Sequence, residues 1–391
     1  MNPYLQQLQP YPFAKLAKLK AGVEAPTDLP HIALSIGEPK HTPPAFVRDE
    51  LIENLDKLSA YPVTKGLDPL RETIADWLSQ RFKLQGVNAE SQVLPVNGTR
   101  EALFAFAQAV VSPGSQVLMP NPFYQIYEGA ALLAGASPYF LNCAAETDFK
   151  PDFASVPDSV WQACDLLYIC TPGNPTGALL SIDELKQLIA LADKFDFIIA
   201  SDECYSELYF DESAPPTGLL EACAELGRND FQRCVVFHSL SKRSNLPGLR
   251  SGFVAGDAEI LEKILLYRTY HGCAMPVPTQ FASVAAWQDE QHVQQNRELY
   301  RQKFDAVLDI LDGCLNVTKP EASFYLWPRV GDGETFTREL FRQQNITVLP
   351  GAFLARKANG INPGADYVRM ALVATLEECV EAAKRIRSFC R

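Results

Sequence analysis

Between residues 93 and 256, short apolar runs alternate with amphipathic stretches, and this alternation constrains the fold more than any other feature of the chain. The runs at 93–96, 116–119, 165–170, 197–201, 234–237 and 252–255 have the length of buried strands. Between them, 100–111 and 184–194 carry helical patterns, and the second opens with Ser181 and Glu184 at capping-box spacing. Strands that alternate with helices predict an α/β fold with a mostly parallel sheet between helices. After Pro278 the texture changes to a long helical pattern reaching Leu315, the run Ser323-Phe324-Tyr325-Leu326-Trp327, a helix near 334–344 and a last helix from Thr375. This predicts a smaller α+β domain. The proline-rich segment before Ala45 cannot form a core alone and is expected to pack on that C-terminal part. The expected division is therefore 1–45 with 279–391 as the small domain and 46–278 as the large one, consistent with a 391-residue chain exceeding one core.

Composition removes several function classes. A net charge of −12 argues against a nucleic-acid surface, which rewards clustered Lys and Arg. The N-terminal 22 residues lack the apolar stretch of a secretory signal, and no run of eighteen apolar residues occurs, so a cytosolic chain without a membrane span is expected. The ten cysteines contain no C-x-x-C pair and are expected to be buried reduced thiols. The five histidines, His31, His41, His238, His271 and His292, show no ligand spacing, so no metal is expected.

The chemistry-bearing residues fall just after the apolar runs, where open α/β sheets bind ligands. Ser239-Leu240-Ser241-Lys242 follows the run at 234–237 and precedes Arg250. Burial makes a lysine amine easier to deprotonate, and hydroxyls with an arginine suit a phosphate. An aldehyde that carries a phosphate is pyridoxal 5'-phosphate, which makes five demands. Lys242 answers the first, an amine for the Schiff base. Asp202, ending Phe197-Ile198-Ile199-Ala200-Ser201-Asp202, suits the protonated pyridine nitrogen, and Tyr205 lies within reach of the phenolic oxygen. Asn97-Gly98-Thr99-Arg100 opens a helix, so the free amides at Gly98, Thr99 and Arg100 can face the phosphate, with Ser239, Ser241 and Arg250 opposite. Tyr124, in Pro122-Phe123-Tyr124-Gln125-Ile126-Tyr127, suits ring stacking, while Phe123 or Tyr127 is expected to fill core. Arg369 alternates with Val368 and Met370 on a half-buried strand and can fork onto an α-carboxylate. Asn174 stands in the rigid loop Thr171-Pro172-Gly173-Asn174-Pro175-Thr176-Gly177, where its amide can donate to the phenolic oxygen and to the substrate carboxylate. Each residue alone has a bland reading as a cap, turn, surface lysine or structural ion pair.

In this order, Gly98, Tyr124, Asn174-Pro175-Thr176-Gly177, Asp202, Tyr205, Ser239-x-Ser241-Lys242, Arg250 and Arg369 resemble the class I/II aminotransferases of pyridoxal-phosphate fold type I, over nearly the whole chain. The resemblance implies a homodimer with active sites at the subunit boundary. It also implies that Tyr61 reaches the partner's phosphate and that Gly37, in Ser35-Ile36-Gly37-Glu38-Pro39, donates its backbone N–H to the substrate carboxylate. Tyr11-Pro12-Phe13, the run from Ser35 to His41 and Leu58-Ser59-Ala60-Tyr61-Pro62 further resemble proteobacterial succinyldiaminopimelate aminotransferases. That resemblance implies small-molecule amino-acid and 2-oxo-acid substrates, with 2-oxoglutarate as amino acceptor, in lysine and diaminopimelate synthesis. Lys40 and Lys65 are candidate contacts for a succinyl carboxylate. Other aminotransferases, with aspartate, aromatic or acetylornithine substrates, share the cofactor residues, as do carbon-sulfur lyases of the same fold. The penicillin-binding reading of Ser239-x-x-Lys242 lacks its Ser-Asp-Asn and Lys-Thr-Gly partners. A regulator built on the same domain would need an added basic DNA-binding segment, and none precedes Gly98.

Overall fold

The computed structural model describes residues 1–390. Its main sheet contains seven strands: β1 Val93–Val96, β2 Gln116–Asn121, β3 Ser137–Asn142, β4 Cys164–Cys170, β5 Ile198–Asp202, β6 Cys234–Ser239 and β7 Gly252–Gly256. They are ordered β1-β7-β6-β5-β4-β2-β3, and only β7 runs antiparallel to its neighbours. The carboxyl ends of β1, β2, β4, β5 and β6 therefore lie on one edge, together with the amino end of β7. The strand absent from the sequence reading is β3, whose Pro138 is tolerated because β3 is an edge strand.

The sheet is covered on both sides. In β2, Val117 and Met119 enter one core while Leu118 enters the other, as two-residue periodicity requires. The helix Thr99–Val110 packs Leu103 and Phe106 on the first face. The helix Ile182–Phe195 packs Leu185 and Leu188 on the second, and its capping box is formed by Ser181 and Glu184 as the spacing predicts.

Both ends of the chain build the smaller unit. Ile32–Ala33 pairs in parallel with Ile346–Thr347, and Val368–Ala371 lies between Leu349–Pro350 and Tyr325–Leu326 in an antiparallel sheet. Ile32 and Leu34 are buried there with Phe304, Leu340 and Ile386. Burial of those two side chains contributes roughly 3–6 kcal/mol to holding the N-terminal segment down. The predicted helical run after 278 is two helices, Val277–Gln288 and Gln291–Leu311. The first places Ala282, Ala286 and Trp287 in the core of the large unit. The expected boundary at 278 thus falls inside a helix that packs on the large unit, and we propose the turn at 289–290 as the division.

Candidate active site

The loops that leave the sheet edge converge with the N-terminal segment on a cavity of about 650 Å³. Its wall includes Lys242, Asp202, Tyr205, Tyr124, Asn174 and Arg369, residues separated by up to 245 positions in sequence.

Lys242 lies in a single helical turn, Leu240–Arg243, that β6 delivers at the cavity floor. Ser239 caps the turn by accepting from the Ser241 amide at 3.1 Å. The lysine Nζ donates to the Gly37 carbonyl at 2.5 Å, which ties the N-terminal segment to the reactive amine. Burial lowers its pKa to about 8, with the Arg369 charge acting in the same direction. A neutral amine is therefore available near physiological pH. Gly37 is constrained at this contact, since a Cβ on it would fall 2.0 Å from the Tyr325 hydroxyl oxygen.

Asp202 ends β5 and is buried. Its carboxylate accepts from the Tyr127 hydroxyl at 2.6 Å and from the Cys204 amide at 3.3 Å. Burial nevertheless raises its pKa, and among the described residues no lysine or arginine pairs with it. A protonated pyridine nitrogen would supply the missing positive charge, so the acid fits the cofactor expected from the sequence.

The anion cradle lies alongside. Gly98 has φ 85°, and a Cβ there would lie 2.4 Å from Arg250 Nη2. The helix Thr99–Val110 opens at Gly98 with no side-chain cap, so its first amides retain their donors for an anion. Thr99, Ser239, Ser241 and Arg250 share the cavity wall with it. Arg250 donates to the carbonyls of Pro247 at 2.9 Å and Asn97 at 3.4 Å, and its charge has no carboxylate partner among the described residues. The donors suit a phosphate dianion.

Tyr124 accepts from Arg100 Nε, and Arg100 Nη2 donates to the Tyr11 hydroxyl at 2.8 Å. The Arg100 side chain thus fixes two aromatic rings of the cavity rim, leaving its backbone amide to the helix N-terminus. Burial pushes the Tyr124 hydroxyl up to about 12. Tyr205 shares a 3.0 Å hydrogen bond with Tyr325.

Arg369 is 5 % exposed and lies 4.4 Å from the Tyr325 ring centroid. It donates to Asn174 Oδ1 at 3.0 Å and to the Ser35 carbonyl at 2.9 Å, while its Nε is buried without a partner. A buried guanidinium held only by neutral acceptors is prepared for an external carboxylate. Because Asn174 uses its oxygen on Arg369, its NH₂ remains a donor.

Three expected residues lie elsewhere. Tyr61 is fully exposed and is absent from this cavity wall. Lys65 pairs with Glu90, and Lys40 lines a different cavity, so neither candidate for a succinyl contact meets the Lys242 cavity. Conversely, Tyr127 combines its expected core packing, stacked 4.6 Å from Tyr168, with a polar role at Asp202. Its position three residues after Tyr124, at the start of the helix Ile126–Leu133, is the available sequence signal. Tyr325 and Cys204 also line the cavity without having been singled out for it. A buried tyrosine and a lone thiol carry no pattern that separates them from core.

No disulfide forms among the described residues, and no helix there is long and apolar enough to cross a membrane. Glu101, His271 and Cys273 bring donor atoms within 4.8 Å of one another, a cluster hidden by the sequence spacing. Arg268 already supplies a buried cation to Glu101 at 2.5 Å.

A family model described as aminotransferase class I and II matches residues 30–386. The crystal structure of an aminotransferase from Neisseria meningitidis is 51% identical, with all of both chains covered and a TM-score of 0.96. An LL-diaminopimelate aminotransferase from Dehalococcoides mccartyi is 30% identical over all of this chain and 98% of its own. The structure of a probable N-succinyldiaminopimelate aminotransferase from Thermus thermophilus is 27% identical over 96% of this chain and 99% of its own, with a TM-score of 0.85.

Proposed function

Because the chain belongs to the class I and II aminotransferases, which work with pyridoxal 5'-phosphate, we propose that it transaminates a diaminopimelate-skeleton substrate in its N-succinylated form, with 2-oxoglutarate as amino acceptor. The observation that carries this reading is the cavity rim. Tyr11, Pro12, Phe13, Gly37 and Glu38, five of the residues that carry the succinyldiaminopimelate resemblance, line the same cavity as Lys242 and Arg369. The cavity of about 650 Å³ holds the cofactor together with a substrate fixed at one end by Arg369.

When bound, the cofactor supplies a carbonyl for the substrate amine and a ring that withdraws electrons from the α-carbon. Arg369 and the Asn174 amide hold the α-carboxylate, fixing the α-carbon beside Lys242. Lys242 Nζ takes the α-proton, for which a pKa of about 8 is well matched. Asp202 holds a proton at the ring nitrogen, with Tyr127 stabilising its ionised carboxylate. The backbone amides of Thr99 and Arg100, with Ser239, Ser241 and Arg250, grip the phosphate, while the Gly98 amide, expected from the sequence to be free, donates instead to the Val96 carbonyl at 2.8 Å. The small unit carries Arg369 and Tyr325, and its movement toward the sheet edge would exclude water.

A homodimer fits this scheme. The segment 52–63 exposes Ile52, Leu55, Leu58, Tyr61 and Val63, an apolar content suited to a second copy. Tyr61 would then serve the partner's phosphate.

The 30–31% identity to LL-diaminopimelate aminotransferases favours a second reading, in which the unacylated diamino acid is the donor. Initial rates of oxo-acid formation decide between them, measured with 2-oxoglutarate and N-succinyl-LL-diaminopimelate, LL-diaminopimelate, acetylornithine, aspartate and phenylalanine. The first reading expects kcat/KM at least tenfold higher for the succinylated substrate. Equal or better use of LL-diaminopimelate selects the second. Preference for any other donor overturns both while leaving the family assignment intact.

A further inference from the structure

A second cavity, of about 780 Å³, opens between the two units and shares no lining residue with the Lys242 cavity. It is lined from the large unit by Asn245, from the long helix by His292, Asn296 and Lys303, and from the rest of the small unit by Thr375 and Glu377. Lys303 is 3 % exposed. Among the described residues its ammonium has no carboxylate within ion-pair distance. It donates instead to His41 Nε2 at 2.6 Å and lies 5.1 Å from the Tyr300 ring centroid. A buried cation without an anion is costly, and a lysine that lines a cavity can have that charge met by a ligand.

The lysine is also the first link of a directed chain. Asn296 Nδ2 donates to the carbonyls of Lys242 at 3.3 Å and Arg243 at 3.4 Å, so its Oδ1 is the acceptor on the other side. That oxygen accepts from Asn245 Nδ2 at 3.0 Å and meets His41 Nδ1 at 2.7 Å. His41 must therefore carry its proton on Nδ1 and accept at Nε2 from Lys303. Each member has its donor direction set by its neighbour. The chain runs from the cavity to the backbone of the lysine that does the chemistry.

We propose that this interdomain cavity is a second ligand site, taking a small oxyanion, carboxylate or phosphate, on Lys303, and that His41 and Asn296 transmit its occupancy to the 239–246 segment. An oxyanion drawn to Lys303 Nζ competes with His41 Nε2 for that donor. Lengthening of the Lys303–His41 bond frees the imidazole to turn, and Asn296 follows. Lys40, on the cavity rim, adds a second positive charge. The groups that face Lys303 are accounted for: Asp289 is held by His292 at 2.6 Å, the Glu378 carboxylate by the Thr375 amide, Glu377 is exposed, and the Cys379 thiol, pushed up to about 11 mainly by burial, stays neutral. Burial lowers the Lys303 pKa to about 8, so binding is expected to weaken as pH rises through that value. His41 and His292 both have pKa values lowered mainly by burial and stay neutral over that range.

The test uses wild-type holoenzyme, in which the cofactor's own phosphate fills the cradle, with Arg369→Gln holoenzyme alongside to subtract carboxylate binding at that guanidinium. Inorganic phosphate and malonate are titrated separately by calorimetry at pH 7 and pH 9, with hydrogen exchange followed at residues 239–246. The expected result is saturable binding of one or both probes, several-fold up to about tenfold weaker at pH 9 and at least tenfold weaker in Lys303→Met, retained in Lys303→Arg, with altered exchange in 239–246. Phosphate alone or malonate alone identifies the source of the oxyanion and upholds the site. His41→Gln should still bind the probe but lose the exchange response. Should Lys303→Met fail to fold, Lys303→Gln and the wild-type pH dependence carry the same comparison. Unchanged binding in the Met or Gln variant places the anion elsewhere and overturns the proposal, as does no binding of either probe. Binding without any exchange change in 239–246 overturns the coupling.

Discussion

Tyr127→Phe removes one hydroxyl and nothing else, because the ring keeps its stack on Tyr168 at an interplanar angle of 12°. The lost contact is the 2.6 Å donation to Asp202 Oδ2, in a fully buried setting. Asp202 then keeps only the Cys204 amide at 3.3 Å among its hydrogen bonds. A buried hydrogen bond to an ionised group is worth about 1.5–3 kcal/mol. Burial raises the Asp202 pKa, and a protonated ring nitrogen beside it favours the ionised carboxylate more strongly than the apoenzyme does. The loss therefore falls on the cofactor-bound state more than on the apoenzyme. Expressed as affinity, about 1.5–3 kcal/mol is roughly ten- to 150-fold. Fluorescence titration of the apoenzyme with pyridoxal phosphate should show a Kd raised by that factor, while the melting temperature of the apoenzyme moves little. A Kd within twofold of wild type would refute the reasoning, because it would mean that the Tyr127 bond is not preferentially strengthened by ionised Asp202.

Three further outcomes follow from the same geometry. Arg369→Gln leaves a substrate carboxylate without its fork, a loss of about 2–5 kcal/mol; kcat/KM should fall for both amino donor and oxo acid, and a fall for only one would contradict a shared carboxylate site. Gly98→Ala drives a Cβ toward Arg250 Nη2 at a φ of 85°, so cofactor affinity should drop in fluorescence titration with the fold retained by circular dichroism. Lys242 has a folded pKa of about 8, below the ordinary lysine value, so between about pH 8 and 10.5 the unfolded chain binds the extra proton and the residue's contribution to stability grows with pH. Urea unfolding of the apoenzyme across that window should give Lys242→Met a less positive slope of stability against pH than wild type, and identical slopes would deny the lowered pKa.

The large sheet was readable because its strands are short apolar runs whose signal is local, and the capping box at Ser181 and Glu184 formed as its spacing required. The strand Ser137–Asn142 was not, since Pro138 and half-exposed residues on a sheet edge give no such run. In the site, Lys242 and Asn174 were legible as charged or amide groups placed after buried strands, Asp202 as an acid ending one and Arg369 as a cation inside one, where an unsolvated polar group demands a reason. Tyr127 looked like core because most of it is core; only its hydroxyl, aimed at an acid 75 residues away, is polar chemistry. Lys40 and Lys65 suggested a distal substrate contact through proximity in sequence. The fold instead turns Lys65 to Glu90 and Lys40 into the interdomain cavity. The Lys303–His41–Asn296 chain spans 262 positions in sequence and depends wholly on the packing of the two units.

The central claim is that Lys242 carries the cofactor-linked chemistry. It is tested most directly by reducing the pyridoxal-phosphate-loaded enzyme with borohydride, digesting it and locating the modified peptide by mass spectrometry. The account predicts the pyridoxyl mass on Lys242 alone, and its loss in Lys242→Ala. A modified lysine anywhere else, with Lys242 left unlabelled, would contradict it.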